Sequence, residues 1–145
     1  MNNYELNIIA QEALNLLCGK ELGAGIHRTV FLCAIDPTLV VKIERDTDYF
    51  VGANAAEWRW WDELQYAPTY ARWLAPCKWI SPNGRIMLQM RTTHIPADRV
   101  PDKLPAFLCD TKWENFGMLN GRIVAHDYPQ INSSLPKRLR KAHMI

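Results

Sequence analysis

Asp110-Thr111-Lys112-Trp113-Glu114-Asn115 precedes the run Phe116-Gly117-Met118-Leu119-Asn120-Gly121-Arg122-Ile123-Val124-Ala125, and His126-Asp127-Tyr128 follows it. The middle run reads as a hairpin, with Asn120-Gly121 as its tight turn and strands over 116–119 and 122–125. An Asp, an Asn five residues later and a second Asp beyond the hairpin supply three oxygen donors that one loop can converge on a Mg²⁺-bound phosphate. Asp and Asn are also favoured in turns, and two of the three border the hairpin. Their joint spacing with Lys112 favours the chemical reading over the turn reading.

Upstream of this stretch, Cys77–Ile80 and Arg85–Met90 flank Ser81-Pro82-Asn83-Gly84, a second hairpin signal. Before it, residues 49–66 carry Ala53, Ala56, Glu57, Trp60, Trp61 and Leu64 at helical spacing, with Pro68 as the stop. Leu39-Val40-Val41-Lys42-Ile43 is a strand, and a lysine inside it needs an anionic partner if it points inward. Glu57 can supply that carboxylate; the alternative is an edge-strand lysine facing water. Arg28–Ala34 is a further strand, and Lys20–Leu22 a short extended one. Between them Gly23-Ala24-Gly25 opens a run, Gly23-x-Gly25-x-x-Arg28, shaped like a glycine-rich nucleotide loop with Arg28 in place of the third glycine. Residues 3–18 form an amphipathic helix with Leu6, Ile9, Ala13, Leu14 and Leu17 on one stripe, stopped by Gly19 and expected to pack on a sheet.

Downstream of Thr93, prolines at 96, 101 and 105 forbid a long helix, and Leu104–Leu108 has room for a short turn or strand. The tail 130–145 is basic and admits a short helix after Pro136. These elements make an α+β chain with the size of one domain, 145 residues of which 48% are hydrophobic and 22% charged. Its parts are a helix at 1–19, a sheet-rich unit at 20–93, a loop region at 94–129 and the tail.

The formal charge of +2 becomes −2 without Lys137, Arg138, Arg140 and Lys141, so no broad basic face exists for nucleic acid. The short basic run reads first as a solvated end. The six tryptophans, three of them at 58, 60 and 61, read as packing residues rather than base-stacking platforms. Cys18, Cys33, Cys77 and Cys109 are far apart in sequence, without zinc spacing, and point to free thiols in an intracellular protein. No signal peptide or membrane span is read from the sequence.

In chain order, the glycine run at 23–30, Lys42, Glu57, the hairpin leading through Met90 to a hinge at Arg91-Thr92-Thr93, the D-x-K-x-x-N loop at 110–115, and Asp127 resemble the protein kinase-like superfamily, which includes small-molecule kinases. The resemblance covers roughly residues 20–129. It implies a kinase-like fold: an N-lobe antiparallel sheet with its helix, and a minimal remnant of the C-lobe. It implies ATP and Mg²⁺ as cofactors. Gly23, Gly25, Lys42, Glu57, Met90 and Thr92 would face the nucleotide, Asp110 and Lys112 would act on the transferred group, and Asn115 with Asp127 would hold the metal.

The chain departs from that pattern at Leu108-Cys109, where the family has His-Arg, and at Asp127-Tyr128-Pro129, where it has Asp-Phe-Gly. Only 16 residues follow Pro129, so the peptide-binding part of a C-lobe has no sequence to form from. The chain is also similar to small bacteriophage-encoded proteins, which implies a bacterial host cytoplasm. The expectation is a minimal nucleotide-binding protein, with Mg-ATP-dependent phosphotransfer to an unknown acceptor. The alternative is an inert kinase-like inhibitor or decoy with a host protein as partner. A homodimer is compatible with either; a membrane or nucleic acid is not expected as partner.

Overall fold

The computed structural model describes residues 1–45, 52–131 and 139–142. It is an α+β structure built on a five-stranded antiparallel sheet. The strands are β1 (Cys18–Ala24), β2 (Arg28–Cys33), β3 (Leu39–Glu44), β4 (Cys77–Ile80) and β5 (Ile86–Met90), in the order β1-β2-β3-β5-β4. β3 is therefore central, paired to β2 through Val30 opposite Lys42 and to β5 through Lys42 opposite Met87. This removes the edge-strand reading of Lys42, which is 3% exposed.

Helix α1 (Asn3–Leu17) starts on a reciprocal cap: the Asn2 side chain accepts from the Glu5 amide and the Glu5 carboxylate accepts from the Asn2 amide. It ends one residue earlier than the sequence suggests, because Cys18 is already extended and opens β1. Gly19 is thus a strand residue rather than a helix stop. The expected packing of this helix on a sheet does not occur: none of its residues is buried, and Ile9 and Leu16 are 52% and 67% exposed. The stripe has the right spacing, but α1 adjoins β1, which follows it directly in the chain, without burying any residue there. β1 in turn continues through Gly23 and Ala24, which the sequence suggests would break it. At its other end Cys18 stands opposite Cys33, so two thiols distant in sequence are cross-strand neighbours, both free.

Helix α2 (Ala53–Leu64) follows β3; the expected start of this helix, at 49–51, lies outside the described residues. Pro68 does not merely stop it. With its fixed φ, Pro68 opens a one-turn helix, α3 (Pro68–Ala71). Beyond the sheet, a 3₁₀ turn at Ala97–Arg99 and strand β6 (Lys103–Pro105) replace any long helix, as the prolines require. β7 (Phe116–Leu119) and β8 (Arg122–Ala125) form the expected hairpin, with Asn120 and Gly121 at φ 51° and 77°, the left-handed pair that a two-residue turn of the I′ kind needs. Where the tail is described, Leu139–Lys141 is strand β9 paired with β6 rather than part of a helix, and Arg140 donates to the Leu108 carbonyl at 2.7 Å. Residues 139–141 pair with β6 there while staying exposed, as expected of a solvated run; Lys137 and Arg138 lie outside the described residues.

The core joins sheet and hairpin. Leu74, Met87, Ile95, Leu104, Phe107, Leu108 and Tyr128 are each 2% exposed or less, and each such side chain contributes roughly 1.5–3 kcal/mol by leaving water. Trp58, Trp60, Trp61 and Trp73 pack partly buried against this core. Trp79 departs from the expected packing role, at 47% exposed. The connector 73–75 stitches the hairpin to the sheet: the Ala75 amide donates to Ala125 and the Ala125 amide to Trp73. No helix of the described residues is long and apolar enough to cross a membrane.

Candidate functional site

A cleft of about 1020 Å³ lies between the sheet and the loops flanking the β7–β8 hairpin. Gly23, Gly25, Lys42, Met90 and Thr92 line it from the sheet side, and Asp110, Lys112, Asn115 and Asp127 from the loop side. Nine of the ten candidate residues thus share one cavity; the tenth, Glu57, stands directly behind it. Strand pairing places Lys42 on the central strand, while helix α2 lays Glu57 across the sheet. The Lys42 ammonium meets the Glu57 carboxylate at 2.5 Å and also donates to the His126 carbonyl.

Arg28 adds a second cation to this pair. The sequence reading treats it only as a substitute for a third glycine, yet it is 7% exposed and its Nη2 reaches Glu57 Oε2 at 2.9 Å and Asp127 Oδ1 at 2.5 Å. Its Nη1 donates to Asn54 Oδ1 at 3.2 Å. Asn54, fully buried at the start of α2, also donates from its side chain to the Lys42, Gly84 and Arg85 carbonyls, and its own amide donates to Glu44. Gln89 donates to Glu57 Oε1 and the Tyr128 amide to Glu57 Oε2, each at 2.9 Å. Every one of these partners is distant in sequence. The only legible hint was a charged or amide residue inside an otherwise apolar-looking element.

The buried charges bias one another. Burial alone would raise the Glu57 carboxyl, but Arg28 and Lys42 outweigh it and hold it down at about 2. Burial and the neighbouring Arg28 charge lower the Lys42 ammonium, against the pull of Glu57 and Asp127. Burial also works against Arg28, and Glu57 with Asp127 more than restores its hold on the proton. Arg28 and Lys42 face Glu57 and Asp127, with buried Glu44 close by, and this pairing of opposite charges is what makes the cluster tolerable in a poorly solvated place.

His126 ties the two sides of the cleft together. Its Nε2 donates to the Glu114 carbonyl at 2.6 Å, so Nδ1 is the acceptor for the Thr92 hydroxyl at 2.7 Å. Burial and the Lys42 charge lower its pKa, which keeps the ring neutral. Tyr128 anchors the next residue but one, donating its hydroxyl to the Ala75 carbonyl at 2.6 Å. Cys77 packs beside it, its thiol pushed up to about 12 by burial. Where the sequence has Tyr128-Pro129, the backbone is thus held by a buried phenol and by Glu57.

The loop Cys109–Lys112 is exposed or half-exposed. It rests on the buried run Leu104–Leu108 and is closed by a 3₁₀ turn, Trp113–Asn115. Asp110 Oδ1 accepts from the Lys112 amide at 3.3 Å, and Asn115 Nδ2 donates to the Asp110 carbonyl at 3.4 Å.

The glycine run contributes less than its sequence suggests. Gly25 spends its amide on the Arg28 carbonyl, a hydrogen bond of the hairpin, and an added Cβ at Gly23 would meet nothing within 4 Å. Close backbone approach is instead required at Gly117, where a Cβ would sit 2.4 Å from Thr92 Oγ1. The Met90 amide, at the end of β5, donates to Pro76.

Of the two donors expected to hold a divalent metal, Asp127 already carries a cation of the protein itself. Asp127 Oδ1 is the oxygen so engaged, while Asn115 donates its Nδ2 to the Asp110 carbonyl, a bond that does not use its Oδ1. Among the described residues no group of three or more His, Cys, Asp or Glu side chains gathers as a metal site. Against known proteins, no protein-family model matches the chain, and no curated protein matches it.

Proposed function

We propose that the chain is a minimal kinase-like protein whose cleft binds a nucleoside triphosphate of the ATP class. The observation that supports this reading is the Lys42–Glu57 pair at 2.5 Å, set behind a cavity that Asp110, Lys112, Asn115 and Asp127 line from the other side. An ammonium fixed on a central strand by a buried carboxylate is pre-oriented for an anionic group, which limits the entropy lost on binding. Lys112, exposed at the rim, adds a second positive charge for the phosphates.

Asp110 is the side chain suited to accept a proton from an acceptor hydroxyl, and Lys112 to balance charge on a moving phosphoryl group. Phosphotransfer to an unknown acceptor is the active form of this proposal. A second reading, favoured by the guanidinium on Asp127, is a protein that binds nucleotide or a host protein in the bacterial cytoplasm without turnover.

Millimolar ATP is expected to raise the melting temperature of the full chain, and Lys112→Ala to weaken ATP binding about tenfold, the loss of one charge-assisted contact. Absence of any shift would refute the nucleotide reading. Asp110→Asn is expected to keep ATP binding while abolishing release or transfer of ³²P from γ-labelled ATP. No transfer by the unaltered chain, with binding intact, selects the non-catalytic reading.

A further inference from the structure

Arg28 Nη2 bridges two carboxylates, Glu57 Oε2 at 2.9 Å and Asp127 Oδ1 at 2.5 Å, as a bound cation would. The guanidinium cannot easily be withdrawn. Its side chain is 8% exposed, Asn54 holds its Nη1 at 3.2 Å, and Asn54 is itself fixed by the Lys42, Gly84 and Arg85 carbonyls. Asp127 is the opposite case: its side chain is 45% exposed and lines the cleft. A divalent ion seeking that carboxylate would meet a fixed positive charge already on it, with the Lys42 ammonium a second repulsive neighbour on the far side of Glu57.

From this geometry we propose that Arg28 occupies the place of a divalent cation, so that the cleft takes a nucleoside triphosphate as the metal-free anion. The proposal rests on the nucleotide reading above and names the form of ligand it accepts. Arg28 offsets the Asp127 charge that would otherwise repel a polyphosphate on one wall of the cleft, and Lys112 on the other wall meets the phosphates, so no metal is needed between carboxylate and ligand. Because Arg28 is covalently part of β2, this compensation does not vary with the concentration of metal in solution.

The test is calorimetric titration of the full chain with ATP in excess EDTA and again in excess Mg²⁺. The expected result is binding in EDTA with a Kd within about threefold of that in Mg²⁺ or tighter. Binding seen only with Mg²⁺ overturns this inference and leaves the nucleotide reading standing; binding in neither condition overturns both.

Asp127→Asn separates the roles in a variant that keeps the exposed side chain's shape. In excess Mg²⁺ it is expected to bind ATP within about threefold of the unaltered chain, whereas a loss of more than tenfold there would mark Asp127 as a metal ligand and overturn the inference. Arg28→Gln, if it folds by circular dichroism, is expected to lose at least tenfold in EDTA and to regain affinity on adding Mg²⁺. Retention of full metal-free affinity by Arg28→Gln would overturn the assignment of Arg28. If that variant does not fold, the EDTA titration and Asp127→Asn decide the matter.

Discussion

Glu57 is fully buried and holds Arg28 and Lys42, the Gln89 side chain and the Tyr128 amide on two carboxylate oxygens. Glu57→Gln leaves two buried cations short of a counter-charge and is expected to cost about 3–5 kcal/mol, measurable by urea unfolding. The same carboxyl sets an acid limb. Its pKa falls from 4.5 to about 2 on folding, so its contribution is complete above about pH 5 and is lost as the pH falls towards 2. Stability measured between pH 5 and 2 should therefore drop steeply in the native chain and less steeply in Glu57→Gln. A second residue with a tight spatial role is Gly117. Because a Cβ there would meet Thr92 Oγ1 at 2.4 Å and the Thr93 carbonyl at 2.9 Å, Gly117→Ala is expected to lose roughly 1–3 kcal/mol through overpacking. An unchanged urea midpoint would contradict that contact.

Among the elements, α1 and the β7–β8 hairpin show opposite relations between pattern and packing. The hairpin is fully specified locally: Asn120-Gly121 sets the turn, and pairing from Phe116 opposite Ala125 to Leu119 opposite Arg122 follows from it. Helix α1 has an apolar stripe and a complete N-terminal capping box, yet buries no residue. Its local signals determine that it is helical and leave open what it packs on. Deleting residues 1–15 is accordingly expected to change the stability of the remainder by no more than about 0.5 kcal/mol, the range of surface changes. Thermal unfolding of the shortened chain checks this, and a loss of several kcal/mol would place α1 in the folding unit. The Leu17 carbonyl is kept in that variant because it accepts from the Ala34 amide at the sheet edge.

At the scale of the whole molecule, the cleft exists because two structurally separate parts are fastened at its ends. The 73–75 connector pairs with Ala125, Thr93 exchanges hydrogen bonds with Met118, and Thr92 and Glu114 hold His126 between them. These links make sheet and hairpin one cooperative unit, so native-state hydrogen exchange should show the Met118 and Ala125 amides as protected as that of Val41 on β3. Much faster exchange at the two hairpin amides would mean that the hairpin opens alone.

By itself the sequence determined the strands and helix that carry Lys42 and Glu57, the hairpin turn, and the exclusion of long helices after Thr93, because apolar period, proline and Asn-Gly act over a few residues. Only the tertiary structure decided that β3 is central, that the tail pairs with β6, and that Arg28 lies on Asp127, 99 residues away. Those outcomes depend on strand order and on which charges share a buried space, and neither is encoded in any local run of residues.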